Sequence, residues 1–325
     1  MKSTEKIVLT GIQPSGRPHI GNYFGAMKAM VDLQEQYRLY VFVADYHAMT
    51  TTRDPKILKK NTEELILDYL AIGLDPEKVT IYRQSDFPEV TELSWIFSTA
   101  VSVPWLERAH AYKDKVERGI EASVGLFTYP VLMAADILLP GAQTVPVGKD
   151  QIQHIEMTRE IARKFNAQYG DFFEEPQELV SEITATVPGT DGQKMSKSYG
   201  NTIPLFGTDD EIKKAIMGIV TDSKGVSEVK DPDGCTIVKL FTLVSSAEEV
   251  EQLRQQYFAG DIGYGDAKKR LLENYLVYVE PLRKRRSYYA ENPGIVRQIL
   301  DQGTLAMQKI ARDRMKEIRD RVGLR

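Results

Sequence analysis

Two stretches of this 325-residue chain carry side chains suited to handling anions. The first is Gly11-Ile12-Gln13-Pro14-Ser15-Gly16-Arg17-Pro18-His19-Ile20-Gly21-Asn22. Its glycines have nearly the spacing of a P-loop, but Arg17-Pro18 stands where that loop needs Lys and a hydroxyl, so the motif is rejected. A glycine turn between a strand and a helix still offers backbone N–H groups to an anion. Gly16 and Gly21 would let a ligand approach the main chain, and His19 and Asn22 add side-chain hydrogen bonds. The second stretch is Lys194-Met195-Ser196-Lys197-Ser198, preceded by Gly189-Thr190-Asp191-Gly192. Two lysines three apart on a glycine-fed loop make a mobile cationic clamp, suited to a leaving group such as pyrophosphate that gathers negative charge. Taken singly, the first stretch also reads as a plain strand–helix turn and the second as a solvated loop.

A third feature is a carboxylate in apolar surroundings. Asp136 lies within Leu132-Met133-Ala134-Ala135-Asp136-Ile137-Leu138-Leu139. A buried charge is costly unless paired, so a partner is required. An indole N–H only donates and an ionised carboxylate only accepts, so an indole would meet the need. A Lys, an Arg or a backbone group would meet it equally well. Tyr129 and Met133 fall on the same helical face as Asp136 and would wall an apolar pocket. Gly148-Lys149-Asp150-Gln151 sits where a strand passes into a helix, where Asp150 serves either a ribose or the helix N-terminus. His47 and His154 are open to structural or ligand-facing roles.

These residues need elements to hold them. Apolar, β-rich runs at 6–10, 39–44, 79–82 and 144–147 alternate with helical patterns at 22–37, 55–72, 88–100, 126–139 and 150–166. Alternation of this kind predicts an α/β fold, a Rossmann-like parallel sheet whose ligands sit beyond the carboxyl ends of the strands. Residues 170–207 read as irregular. From 208 onward the pattern is helical, at 208–220, 246–258, 264–290 and 293–321. The expected division is a nucleotide-binding catalytic domain over 1–207 and a helical C-terminal domain over 208–325.

Composition narrows the class. The chain is 42% hydrophobic and 27% charged, which excludes fibrous and disordered chains. One cysteine, Cys235, excludes a disulfide framework and a Cys-rich metal centre. No apolar run approaches a membrane span and no signal peptide is visible, so no membrane association and a cytoplasmic location are expected. The net charge of −4 hides an asymmetry, since 261–325 holds 15 Lys and Arg against 9 Asp and Glu. Its densest cluster, Arg283-Lys284-Arg285-Arg286, reads as a solvated helix face or as a phosphate contact.

The pair of anion-handling motifs carries a resemblance. His19-Ile20-Gly21-Asn22 resembles the HIGH signature, and Lys194 to Ser198 the KMSKS signature, of class I aminoacyl-tRNA synthetases. Gly11 to Gly16, Gly21-Asn22-Tyr23-Phe24-Gly25-Ala26, Ala44-Asp45-Tyr46-His47-Ala48, Tyr129 to Leu139 and Val145 to His154 are similar to the bacterial-type tryptophanyl members. The resemblance runs from about Ile7 to the C-terminus and is densest over 7–166 and at 194–198. It implies a tryptophan–tRNA ligase that forms tryptophanyl-adenylate from L-tryptophan and ATP and passes the acyl group to tRNA(Trp). It implies His19, Asn22, Lys194 and Lys197 as catalytic. It implies ATP contacts at Gln13, Pro14, Ser15, Gly21, Asn22, Lys115, Gly148, Lys149, Asp150, Val187, Lys194, Met195, Ser196, Lys197 and Ser198. For tryptophan it implies Asp136, Tyr129, Met133, His47 and Gln151. Mg2+ would ride on the ATP phosphates with no protein metal site, and the assembly would be a homodimer whose basic C-terminal helices meet tRNA. The rival readings are a tyrosyl-tRNA synthetase, a small-metabolite adenylyltransferase with a related first loop, and a non-enzymatic paralogue that only binds a partner. The setting of Asp136, the intact lysine pentad and the retained signature residues weigh against them in turn.

Overall fold

The computed structural model of the chain describes residues 6–109, 123–148, 151–180 and 187–324. Lys115, Lys149 and Asp150 lie outside them. Five strands, β1 (Ile7–Ile12), β2 (Arg38–Val43), β3 (Val79–Arg83), β4 (Thr144–Val147) and β5 (Gln177–Val180), form one parallel sheet in the order β3-β2-β1-β4-β5. The chain turns from one side of β1 to the other at β4, and that reversal opens a crevice at the carboxyl ends of β1 and β4.

The helix after β1, α1, comprises Ile20–Asn22, a wide turn Tyr23–Met27 and Lys28–Leu33. Then come α2 (Asp45–Ala48), α3 (Pro55–Ile72), α4 (Pro88–Ala100), α5 (Val103–Leu106), α6 (Val124–Leu138) and α7 (Ile152–Tyr169). The C-terminal helices are α8 (Asp209–Met217), α9 (Thr236–Val244), α10 (Ala247–Ala259), α11 (Tyr264–Glu291) and α12 (Pro293–Val322). Local chemistry explains the best-anticipated of these. Asp54 accepts from the N–H groups of Lys56 (2.8 Å) and Ile57 (3.2 Å), Pro55 opens the first turn of α3, and Gly73 closes it at φ +108°.

Three expectations need correction. α1 starts at Ile20 rather than 22, because His19 and Asn22 cap it reciprocally, and it ends at Leu33. β5 falls in the segment expected to be irregular; as a half-exposed edge strand reading Gln-Glu-Leu-Val it lacks an apolar alternation. α9 was not expected: its run Thr-Ile-Val-Lys-Leu-Phe-Thr-Leu-Val is rich in β-branched residues, which favour strands, although it buries Ile237, Val238, Leu240 and Phe241 on one helical face.

The strands bury alternate residues on opposite faces. Val8, Val41, Val43 and Ile81 join an apolar cluster with α1, α3, α8, α9 and α11, while Leu9, Tyr40, Phe42 and Tyr82 join another with α4, α6 and α7. The first cluster is continuous from the sheet into the C-terminal helices. α12 contributes Ile299 and Leu300 to it, but Met307, Ala311, Met315 and Ile318 to the second cluster. The helix therefore crosses the edge of the sheet at β3. Gly303 makes the crossing possible: a Cβ there would stand 2.0 Å from the carbonyl oxygen of Ile81.

The basic tetrad is engaged by partners within the chain, although Lys284 and Arg285 stay exposed. Arg286 pairs with Asp68 (2.7 Å) and Glu64 on α3, Arg285 donates to the carbonyl of Ala71 (2.9 Å), and Arg283 pairs with Asp209 (2.6 Å). Lys284 pairs with Glu280 on its own helix (2.6 Å). Three of the four cations thus fasten α11 to other elements. Burial pushes the Asp68 carboxyl up to about 6 even with the Arg286 guanidinium beside it.

Gly303→Val is expected to destabilise the protein by about 1–3 kcal/mol, since the strand carbonyl beneath it has no room to yield. Urea unfolding would measure this, and an unchanged midpoint would contradict the tight crossing.

Candidate active site

A cavity of about 340 Å³ opens at the carboxyl ends of β1 and β4, a volume within the usual range for small-molecule sites. Gln13 and Gly148, the residues that follow those two strands, line it. α1 supplies Ala26 and Met30, and α6 supplies Tyr129, Met133 and Asp136. The helical period puts 129, 133 and 136 on one face, as expected. His47 and Gln151 complete that wall. All five side chains assigned to the amino acid by resemblance thus border one space.

Asp136 has found its partners within the chain. Its Oδ2 lies 2.8 Å from Nε2 of His47, and Nε2 of Gln84 donates to both carboxylate oxygens at 2.9 Å. Its partners within the chain are thus a histidine and an amide, and not the Lys, Arg or backbone group of the structural alternative, which is corrected in that respect. A carboxylate has about four acceptor positions, which leaves capacity on Oδ1. Burial raises the Asp136 pKa, and the hydrogen bonds from His47 and Gln84 draw it back. Gln84 went unnoticed in the sequence, although a polar residue directly after a strand is where parallel sheets place ligand-side groups. Tyr129 meets His154 through its hydroxyl, 2.6 Å from Nε2.

The phosphate-handling stretches meet each other. Lys197 Nζ donates to the carbonyls of Ser15 and Gly16, both at 2.9 Å. With His19 these residues border a second cavity of about 740 Å³. Gly16 holds φ +90°, a conformation that favours glycine. Gly21 is also required by its own neighbours: a Cβ there would stand 2.9 Å from Nδ1 of His19 and 3.2 Å from Cβ of Met195. Met195 is buried in the same apolar cluster as Ile20 and Ile203, and its N–H donates to the carbonyl of Val187 (3.0 Å). Asn22 turns its Oδ1 to the N–H of His19 (3.1 Å). Lys194 is exposed and, like Asn22, borders neither cavity.

Burial, with the Lys197 ammonium nearby, lowers the His19 pKa from 6.5 to about 4. The ring is therefore neutral at pH 7. Its contribution to stability is complete above about 6.5 and is lost as the pH falls towards 4, where the unfolded chain binds the proton first. Burial likewise lowers the Lys197 pKa, with Asp68 opposing. Among the described residues no three His, Cys, Asp or Glu side chains converge as metal ligands.

A second residue missed in the sequence is Asn201, which fixes the lysine loop. Its Oδ1 accepts from the N–H of Ser196 (2.8 Å), and its Nδ2 donates to Asp191 (2.7 Å) and to the carbonyl of Lys194 (3.1 Å). Gly189 makes room for it, since a Cβ there would come within 2.2 Å of that Nδ2. Asn201→Ala should speed amide hydrogen exchange over 194–198 by roughly tenfold or more, given the loss of several buried bonds. Unchanged exchange there would refute this role.

Comparison with known proteins places the chain. Residues 1–276 match the family model described as tRNA synthetases class I (W and Y). The tryptophan–tRNA ligase of Fusobacterium nucleatum is 50% identical over 317 residues, covering 97% of each chain. That of Rhodopirellula baltica is 48% identical, over 98% of this chain and 99% of the other. The tryptophanyl-tRNA synthetase of Campylobacter jejuni, solved complexed with ADP and tryptophan, superposes with a TM-score of 0.94 at 47% identity, over 98% of this chain and all of that one. The chain belongs to the class I tRNA synthetases of the tryptophan and tyrosine family, in its bacterial tryptophanyl branch.

Proposed function

We infer that this chain is a tryptophan–tRNA ligase, which activates L-tryptophan with ATP and transfers it to tRNA(Trp). The observation that carries the reading is the cavity between β1, β4 and α6, apolar on one side and furnished with a buried carboxylate that keeps an acceptor position. An indole would place its ring against Met133 and Tyr129 and its N–H on Asp136. Phenylalanine offers no donor, and a site built for a donor rejects such analogues strongly. The runner-up, tyrosine, shares the fold: a tyrosyl-tRNA synthetase of Archaeoglobus fulgidus superposes with a TM-score of 0.66 at 21% identity.

In the first step a tryptophan carboxylate oxygen bonds to the α-phosphorus of ATP, and the bond to the bridging oxygen breaks to release pyrophosphate. In the second a terminal ribose hydroxyl of tRNA attacks the acyl carbon and AMP leaves. No side chain forms a covalent intermediate. The protein positions the reactants and stabilises charge. We propose Gln13, Pro14, Ser15, Gly21 and Gly148 around the nucleotide, with Lys115, Lys149, Asp150 and Val187 as further contacts. Neutral His19, with Asn22, holds the phosphate-side turn. Lys197 would exchange its carbonyl acceptors at Ser15 and Gly16 for the departing pyrophosphate. Lys194 would join it, with Met195, Ser196 and Ser198 shaping the loop. Mg2+ carried by the phosphates would neutralise part of their charge.

The finer organisation follows the same reading. Residues 1–207 would carry the nucleotide chemistry and 208–325 would meet tRNA. No described helix is long and apolar enough to cross a membrane, and a cytoplasmic site of action is proposed. A homodimer is supported by apolar side chains left uncovered in the single chain, Trp95 (71% exposed) and Val124 (77%) among them.

Pyrophosphate exchange into ATP, assayed with each amino acid in turn, should proceed with tryptophan alone; exchange driven by tyrosine instead would reject the assignment. Asp136→Asn should raise the KM for tryptophan roughly ten- to hundredfold and leave that for ATP nearly unchanged. Lys197→Ala should lower kcat by roughly 10²–10³ with tryptophan affinity kept. Equal losses in both parameters would contradict the leaving-group role.

A further inference from the structure

We propose that Gln84 is a positioning residue for the amino acid, and that the C-terminal helix α12 holds it in place through the turn that follows β3. The proposal rests on the reading of Asp136 as the acceptor for the indole N–H.

Gln84 is almost fully buried, and its amide is fully used on both sides. Nε2 spans the two oxygens of Asp136, at 2.9 Å from each, while Oε1 accepts from the backbone N–H of His47 at 3.3 Å. The network itself fixes which end of the amide is oxygen, because only the nitrogen can donate to a carboxylate and only the oxygen can accept from an N–H. Gln84 therefore holds both the carboxylate and the backbone of the residue whose ring is the other partner of that carboxylate. A carboxylate held at one oxygen can swing about its bond to the side chain. One held across both oxygens presents its remaining lone pair in a single direction, and the two amide contacts favour its acceptor form.

The turn carrying Gln84 is pinned from two sides. Asp45 accepts from the N–H of Ser85 (2.9 Å) and from its hydroxyl. Asp86 Oδ2 accepts from the hydroxyl of Thr304 on α12 (2.9 Å) and from Nε of Arg83 (3.2 Å). One residue before Thr304, Gly303 rests on the carbonyl of Ile81, so α12 lies closely along this strand and turn. A further cavity of about 20 Å³ is bounded by Gln84 and Asp136 on one side and by Met307 and Ala311 of α12 on the other. Side chains of a helix that begins far downstream of Asp136 in the sequence thus stand behind the carboxylate, across that small cavity.

The test uses the full chain and compares tryptophan with β-(3-benzothienyl)alanine, which replaces the indole N–H by sulfur and so removes the donor while keeping the ring shape. The readout is the ratio of kcat/KM for the two in pyrophosphate exchange. Gln84→Met keeps length and apolar bulk but removes the amide; it should narrow the ratio by roughly tenfold, through the KM for tryptophan, with the KM for ATP unmoved. Thr304→Val, distant from the cavity and near-isosteric, should narrow it in the same direction by roughly two- to threefold. A loss confined to stability would leave the ratio alone, so an unmoved ratio in Gln84→Met overturns the positioning role. An unmoved ratio in Thr304→Val overturns the part assigned to α12, and stands as a test even if Gln84→Met does not fold. A wild-type chain that is indifferent to tryptophan would overturn the functional reading itself, whereas a tryptophan-specific wild type with unmoved variants would sink this inference alone.

Discussion

A carboxylate in an apolar helix must be met by donors, and much of the site's architecture follows from that need. Asp136 stands among Val131, Ala134, Ala135 and Ile137, all buried. Left alone there it would take up a proton and become a donor itself. His47 from α2 and Gln84 from the turn after β3 oppose this from two separate crossovers of the sheet, Gln84 by donating to both oxygens and His47 by setting its Nε2 2.8 Å from one of them. The arrangement keeps an acceptor at the edge of an otherwise apolar space. An unmet acceptor discriminates sharply, because a ligand without the matching donor leaves it desolvated and unsatisfied.

That requirement explains why the sheet edge is guarded as it is. β3 ends in the turn that supplies Gln84, and an exposed edge strand would be free to fray or to pair with another chain. α12 lies across it, with its apolar residues divided between the two faces of the sheet and a glycine at the crossing. The arginines of α11 fasten it to α3 through Asp68, Glu64 and Ala71. The C-terminal helices thus serve as scaffold for the pocket as well as forming a region of their own.

The phosphate end obeys a different physics. The lysine loop is held by one buried amide, Asn201, and by packing of Met195 into the core, while Lys197 reaches to the glycine turn. Burial favours the neutral form of His19 and disfavours the charged form of Lys197, whose amine lies 2.9 Å from the carbonyls of Ser15 and Gly16. A loop anchored at its root and cationic near its tip suits a step in which charge departs with a leaving group.

Periodicity, caps and glycine spacing were enough to establish the alternating sheet and helices, the bounds of α3, α4 and β4, and the common face of Tyr129, Met133 and Asp136. These depend on neighbours close in the chain, where sequence distance and spatial distance agree. The two signature loops also pointed to the family through residue type and order. Only the tertiary structure decided what Asp136 pairs with, that Gln84 and Asn201 belong to the site, that three cations of the basic tetrad fasten α11 to other elements, and that Gly303 is a crossing point. Each of those depends on groups tens to hundreds of residues apart, and no local pattern records which distant donor a buried acceptor will meet. Burial creates the demand for a partner, but packing of the whole chain selects the partner that answers it.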